Sequence, residues 1–304
     1  MTLERGVRRL DFPSAPGTER LFWRHCQLSE GEDLLKEALA EAGVASLPNA
    51  SSDQARVEDY GEYVHVVLFT FAADPRGLRE VPFHVVACAR GVVSWSEQPL
   101  ALVDELEQRL RQMQSRIARV PILLYHVLDT LLNDAWHFLD YLNERVSALE
   151  RAVLRRTGTA QVQSEMLELR RVILRTRRLL GSMRDAVHHL AGHLWLEGAE
   201  VVLYFELYDL VLRLFDAVDT YRELLDSLMD IHLASVSNRL NEIVKSLTLV
   251  ATVMLPPSLV ASLYGMNFDH MPGSRHPYGF YVVLGFAMVV SMSLVWWFRR
   301  RRWI

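Results

Sequence analysis

Two stretches near the end of this 304-residue chain, residues 246–265 (SLTLVATVMLPPSLVASLYG) and 279–298 (GFYVVLGFAMVVSMSLVWWF), contain no Asp, Glu, Lys or Arg. A charge-free run of about 20 residues is the length a helix needs to cross the hydrocarbon core of a bilayer. Ser, Thr and two prolines leave the first run only moderately apolar, as a buried core helix also is. The matched lengths favour two membrane spans over two unusually long core helices. The flanks carry the orientation. Arg239 and Lys245 precede the first span and Arg299, Arg300, Arg301 and Arg302 follow the second, whereas the loop between them carries Arg275 alone. Excess Lys and Arg mark the cytoplasmic side, so both termini are expected there and only the loop outside.

The first residues, MTLERGVRRLDF, are charged and lack the apolar core of a signal peptide, so residues 1 to 245 are expected to be cytoplasmic. Cys26 and Cys88 stand alone without metal-ligand spacing, as reduced thiols of that compartment do. A formal net charge of −4 makes no case for nucleic acid.

Short β-branched and aromatic runs at 21–27, 63–72, 81–89 and 91–95 read as strands, the last two joined by a hairpin near Arg90-Gly91. A helix over 29–42 is expected between the first two, capped by Ser29 and ended by Gly43. His65 and His84 read as packed side chains, since neither has a ligand-spaced partner in the sequence. Residues 1–100 thus form an α/β domain. From Pro99 the composition turns to Leu, Arg, Glu and Ala. Leu124, Leu128, Leu131, Ala135, Phe138, Leu142, Val146, Leu149 and Val153 recur at steps of three and four, marking one long helix. Thr157-Gly158-Thr159 breaks it and a second helix follows over 164–189, giving an antiparallel hairpin within 101–197.

A stalk helix over 198–245 holds a 3.5-residue repeat through Leu203, Leu207, Leu210, Leu214, Ala217, Tyr221, Leu224, Leu228 and Ile231. No Pro or Gly lies between Ala199 and Leu255, so the stalk is expected to run into the first span; residues 199–255 would extend on the order of 85 Å. Such a helix needs the preceding hairpin or further copies of itself to cover its seam. Asp209, Asp216, Glu223 and Asp230 are seven apart beside the seam, and Arg170, Arg177 and Arg184 are seven apart on the helix before. Two readings stand for the acids: structural charges, solvated or paired across antiparallel helices, or a divalent-cation sensor between subunits. His189 and His193, four apart, share a helical face if the helix continues past Ala191-Gly192 rather than ending at Gly192, but no Cys or carboxylate nearby completes a zinc set.

Residues 246–304 divide into a first span (246–265), an outer loop (266–278), a second span (279–298) and a basic tail (299–304). On a continuous first-span helix, Asn241, Val244, Leu247 or Thr248, Ala251, Leu255, Ser258 and Ser262 share a face. Around an axis this face makes an amide ring, then apolar rings able to gate by dewetting, then hydroxyl rings; alternatively its small residues serve close helix packing. Pro256 and Pro257 kink the helix or free carbonyls. The absence of ionisable residues in either span argues against proton relays and charged-substrate sites within the membrane, while neutral oxygens suit a hydrated ion such as Mg²⁺. No nucleophile, phosphate loop or acid-base pair supports an enzyme.

The run SNRLNEIVKSLTLVATVMLPPSLVASLYGMNFDHMP (237–272), then a second span and the end RRRRWI, resembles the CorA family of two-span, Gly-Met-Asn metal ion transporters. The resemblance is close over 237–304 and architectural elsewhere. It implies an α+β cytoplasmic domain with long stalk helices and a two-helix transmembrane hairpin, assembled as a homopentameric funnel in the bacterial cytoplasmic membrane. It also implies a selectivity filter at Gly265, Met266 and Asn267 and a pore lined by Asn241, Leu247, Leu255 and Ser258, to which the shared helical face adds Val244 and Ala251. The partners implied are further copies of the chain, lipid and divalent cations, with no permanently bound cofactor; the divalent cation is cargo and regulator. Two departures bear on the cargo. Pro257 doubles the usual proline, and Met271-Pro272-Gly273-Ser274 stands where many Mg²⁺ transporters of the family carry an acidic residue. Related zinc-linked members also lack that acid, and His270 and His276 offer imidazole for Zn²⁺, beside Mg²⁺, Co²⁺ and Ni²⁺. A non-conducting pentameric scaffold or sensor of the same fold is the rival expectation.

Overall fold

The computed structural model describes residues 7–13, 20–44, 53–74, 77–155, 160–192, 196, 198–266, 276 and 278–303. Two compact units divide the chain, Met1–Leu228 and Met229–Ile304.

The first unit is built on a six-stranded sheet of β1 (Val7–Asp11), β2 (Phe22–Gln27), β3 (Arg56–Asp59), β4 (Tyr63–Asp74), β5 (Gly77–Cys88) and β6 (Gly91–Ser96). The strand order is β1-β2-β6-β5-β4-β3, and every neighbouring pair is antiparallel except β2 with β6. The hairpin expected near Arg90-Gly91 is the β5–β6 turn, pairing Cys88 with Gly91. Glycine is required there, because a Cβ on Gly91 would collide with the carbonyl oxygen of Phe22 on the neighbouring strand.

Helix α1 (Glu32–Glu41) presses Leu35, Ala38 and Leu39 onto Phe22, Cys26, Val86, Val93 and Trp95 of the sheet. Burying each leucine contributes roughly 2 kcal/mol. The expected Ser29 cap is corrected: Leu28–Glu30 form a 3-10 turn and Gly31, with φ 138°, occupies the N-cap without a side-chain hydrogen bond. The expected stop at Gly43 holds. With φ 81° it lets the Gly43 amide reach the Ala40 carbonyl at 3.0 Å and the Val44 amide reach Leu39 at 2.9 Å, the paired closure of a Schellman turn.

Further helices complete the unit. Helix α2 (Leu102–Gln112) is followed by α3 (Val120–Leu154), which starts with Pro121 in its first turn. All nine seam residues from Leu124 to Val153 are buried, as their spacing requires. Helix α4 (Ala160–Ala191) follows; Thr157-Gly158-Thr159 lies outside the described residues. The last helix of the unit, α5 (Ala199–Tyr264), is 66 residues long and continues into the second unit.

Helix α5 runs antiparallel to α4 in a fixed register. His188 lies 5.2 Å from the Tyr208 ring, Arg177 Nε donates to Asp219 Oδ1 at 2.7 Å, and Arg170 meets Asp226 at 3.4 Å. The buried line on α5 is Tyr204, Leu207, Leu210, Val211, Leu214, Val218, Leu225 and Leu228, whereas Leu224 and Ile231 of the expected 3.5-residue seam are exposed. A straight helix drifts about 20° per heptad against that repeat, so the contact line moves to neighbouring positions after Leu214.

The second unit holds the end of α5 and α6 (Gly279–Arg300); among the described residues, these are the two helices long and apolar enough to cross a bilayer. Their apolar side chains face outward rather than into a core; Leu247 is 69% exposed and Val282 69%.

Candidate functional site

Three contacts set how α6 lies on α5. The Tyr264 and Phe280 rings meet edge-on at 5.5 Å, Ser291 Oγ donates to the Val253 carbonyl at 2.9 Å, and Lys245 Nζ lies 5.7 Å from the Trp303 ring. The α5 positions facing α6 are therefore Lys245, Leu249, Val253, Pro256, Val260 and Tyr264, each partly covered. At about 100° per residue, Val244, Leu247, Ala251, Leu255 and Ser258 lie roughly half a turn away, and Asn241, one turn before Lys245, about a quarter turn. All six are exposed in the single chain. The hairpin thus uses one face of α5 for its own packing and leaves the apolar-hydroxyl stripe open along the opposite face, with Asn241 exposed beside its inner end.

Pro256 and Pro257 both sit inside α5, which stays helical through them. Proline has no N–H, so Pro257 leaves the carbonyl of Val253 without its helical donor. Ser291, buried on α6, fills that position with its hydroxyl. The second proline is therefore matched by a compensating donor on the facing helix.

Gly265 closes α5, its amide donating to the Ala261 carbonyl at 3.0 Å; a Cβ there would sit 3.2 Å from that oxygen. Met266 follows with its amide 3.3 Å from the Leu263 carbonyl and its side chain exposed. Asn267 and His270 lie outside the described residues. His276 precedes α6 and its Nδ1 accepts the Tyr278 amide at 3.3 Å, which leaves Nε2 for any other ligand.

In the first unit, Asp209, Asp216, Glu223 and Asp230 all lie on the exposed side of α5. Glu223 has Arg222 at 3.8 Å. The arginine column finds other partners than these four acids: Asp219 and Asp226, also seven apart, take Arg177 and Arg170, while Arg184 bonds Asp185 at 2.8 Å and lies 5.6 Å from the Phe215 ring. Three residues beyond Asp216 and Glu223, Asp219 and Asp226 stand almost a full turn on, rotated toward α4.

Asp209 shares a cleft of about 250 Å³ with Tyr125, Asp129, Asn133, Glu206 and Arg213. Asp129 is held by Arg109 at 2.6 Å and Tyr125 reaches Glu206 at 3.5 Å. Burial raises the Tyr125 pKa, the carboxylates of Asp129 and Glu206 adding to it. Sequence reading found Asp209 but not this company, because α3 and α5 contribute residues some 80 positions apart and no local spacing announces them. Among the described residues, no three His, Cys, Asp or Glu side chains are arranged to hold a metal ion. His193 is outside those residues.

His65 and His84 are packed side chains: both are buried, His65 Nε2 lies 3.3 Å from His84 Nδ1, and both rings stack on Trp95. Burial lowers the pKa of each, to about 3 for His84, with Glu58 partly opposing the shift at His65.

A family profile described as CorA-like Mg2+ transporter protein matches residues 19–300. The cobalt/magnesium transport protein CorA of Thermotoga maritima is 31% identical over 260 residues, covering 82% of this chain and 72% of that protein. The zinc transport protein ZntB of Pectobacterium carotovorum is 21% identical over 306 residues, covering 98% and 93%. Among solved structures, the complete CorA magnesium transporter of Methanocaldococcus jannaschii superposes with a TM-score of 0.84 at 23% identity, over 100% of both chains. An α+β domain, a helix that leaves it to enter an apolar hairpin, and a profile match over nearly the whole length agree: the chain belongs to the CorA-like Mg2+ transporter family.

Proposed function

We propose that the chain conducts divalent cations down their gradient through a pore made by copies of α5 around an axis, a homopentamer in the bacterial cytoplasmic membrane with both termini inside. The observation that carries this reading is the stripe from Val244 to Ser258 on the α5 face opposite α6, exposed, continued at its inner end by the exposed Asn241, and without a charged residue from Ser246 to Met266. An axis there surrounds the ion with amide, aliphatic and hydroxyl groups, which hold a hydrated cation weakly enough to release it. Gly265, Met266 and Asn267 form the outer entrance in this reading, and His270 and His276 its imidazole donors. Asp209, Asp216, Glu223 and Asp230, turned away from α4, face neighbouring copies and sense the cation on the inside.

Named transport activities of the relatives, cobalt and magnesium for one and zinc for another, support a divalent cargo and leave its rank order to experiment. Purified chain in liposomes, with Mg²⁺, Co²⁺, Ni²⁺ and Zn²⁺ offered in turn, gives that order. Uptake of at least one ion, abolished by Asn267→Ala, is expected. No uptake of any ion would leave the non-conducting scaffold or sensor instead. Neutralising the four acids together should alter how internal Mg²⁺ closes the pore; unchanged closure would make them solubilising charges.

A further inference from the structure

We propose that the basic turn after α6, together with Lys245, is a docking surface for the phosphate headgroup of an anionic phospholipid. The turn is folded back rather than trailing. Arg302 takes a left-handed backbone, φ 59°, so that the Trp303 amide reaches the Phe298 carbonyl at 3.0 Å and the Arg302 amide reaches Arg299 at 3.1 Å. This closure stacks Trp303 on Phe298 at 5.7 Å and sets its ring beside Lys245 of α5. A non-glycine residue adopts this conformation only where the surroundings hold it, and here two ring contacts do.

The result is a group of ring-stacked cations around one end of the hairpin. Arg300 lies over Trp296 at 5.4 Å and Arg301 over Trp297 at 5.6 Å, while Lys245 lies over Trp303. All three indoles are exposed. Stacking fixes a guanidinium by its face and leaves its in-plane N–H groups, the geometry that takes phosphate oxygens in pairs. Among the described residues, no carboxylate lies within ion-pair distance of Lys245 or of any of the four arginines. Glu242, one turn before Lys245, is the nearby acid in sequence. Indoles favour the level of the headgroups and cations clustered just beyond a span attract acidic lipid. An anionic ligand is therefore complementary in charge to this end of the hairpin. The surface sits where a bilayer presents phosphates, which points to lipid rather than free phosphate.

This inference rests on the membrane-spanning reading and not on ion conduction. The test uses the whole chain in phosphatidylcholine vesicles containing a small share of brominated lipid, either phosphatidylglycerol or phosphatidylcholine, with tryptophan quenching as the readout. Brominated phosphatidylglycerol is expected to quench with higher apparent affinity, by about fivefold for each cation engaged, and added salt should narrow the gap. Lys245→Gln with Arg300→Gln and Arg301→Gln should bring the two lipids level. Because that variant loses topology-setting charge, Arg300→Lys with Arg301→Lys is the companion, expected to keep a preference for phosphatidylglycerol. Equal quenching by both lipids in the unaltered chain, or a preference untouched by the glutamine changes, would overturn the proposal alone. No quenching by either lipid would overturn it and the membrane reading together.

Discussion

Replacing Ser291 with Ala removes the one hydroxyl that serves the carbonyl Pro257 leaves open. The donor lies 2.9 Å from the Val253 oxygen and Ser291 is only 6% exposed, so nothing nearby takes its place. Hydrogen bonds between membrane helices average about 0.6 kcal/mol and reach about 1.7. A carbonyl without its helical donor should fall near the upper value, so a loss of about 1.5 kcal/mol is expected. The partner change is Pro257→Ala, which restores an N–H aimed at the same carbonyl. In that background Ser291→Ala should cost well under half as much, a coupling of about 1 kcal/mol between two residues on different helices. Reversible unfolding of the full chain in mixed micelles, run on the four members of the cycle, measures it. Equal costs of Ser291→Ala with and without Pro257, whatever their size, would mean that the Ser291 hydroxyl does not replace the missing proline donor.

Other consequences follow from the first unit. Burial, with Arg8 adding to it, lowers the His25 pKa to about 3, and burial lowers His84 to about 3 with help from His65 and Arg56. In the unfolded chain both titrate near the ordinary value of about 6.5. Their stability is therefore complete above that pH and lost as pH falls toward 3, at up to about 1.4 kcal/mol per pH unit for each ring. Denaturant midpoints across this window should drop in acid, and His84→Leu should flatten the slope by one proton; an unchanged slope would contradict the burial argument. Gly91→Ala drives a Cβ into the Phe22 carbonyl and should destabilise the unit by about 2 kcal/mol or more, read as a lower Tm. Arg177→Ala loses Asp219 and the Phe215 ring at 4.9 Å; because the pair is about one-third exposed, about 1 kcal/mol is expected. Asp216→Ala, which faces outward, should change Tm little.

Where burial depends on one element's own periodicity, the sequence was readable. The α3 seam is the plain case, and Gly43 announced the end of α1 because only a left-handed residue closes that turn. Strands β1 and β3 were hidden by their charge. Within VRRLD, Val7 and Leu10 are buried while Arg8 reaches out to Asp104 and Glu107, and β3 is an edge strand, RVED, with no fully buried position. On α5 both the expected and the observed contact lines satisfy steps of three and four, so only the neighbouring helices could choose between Leu224 and Leu225. The arginine column was visible, but its acids were not, since a stripe of four carboxylates on one face looks the same from sequence whether α4 packs beside it or not. The stripe on the membrane part of α5 was legible from spacing; that α6 lies on the opposite face came from Ser291 and Tyr264.

The claim that this stripe lines the ion path is tested most directly by cysteine block of uptake. Single cysteines are placed at Ala251 and Ser258 on the stripe and at Leu249 and Val260 on the α6 side, in liposome-reconstituted chain treated with a small cationic thiol reagent. The native Cys26 and Cys88 are buried, and the unaltered chain serves as control. The reagent is expected to abolish divalent-cation uptake at Ala251 and Ser258 and to spare it at Leu249 and Val260. Block at the α6-facing pair with the stripe positions untouched would contradict it.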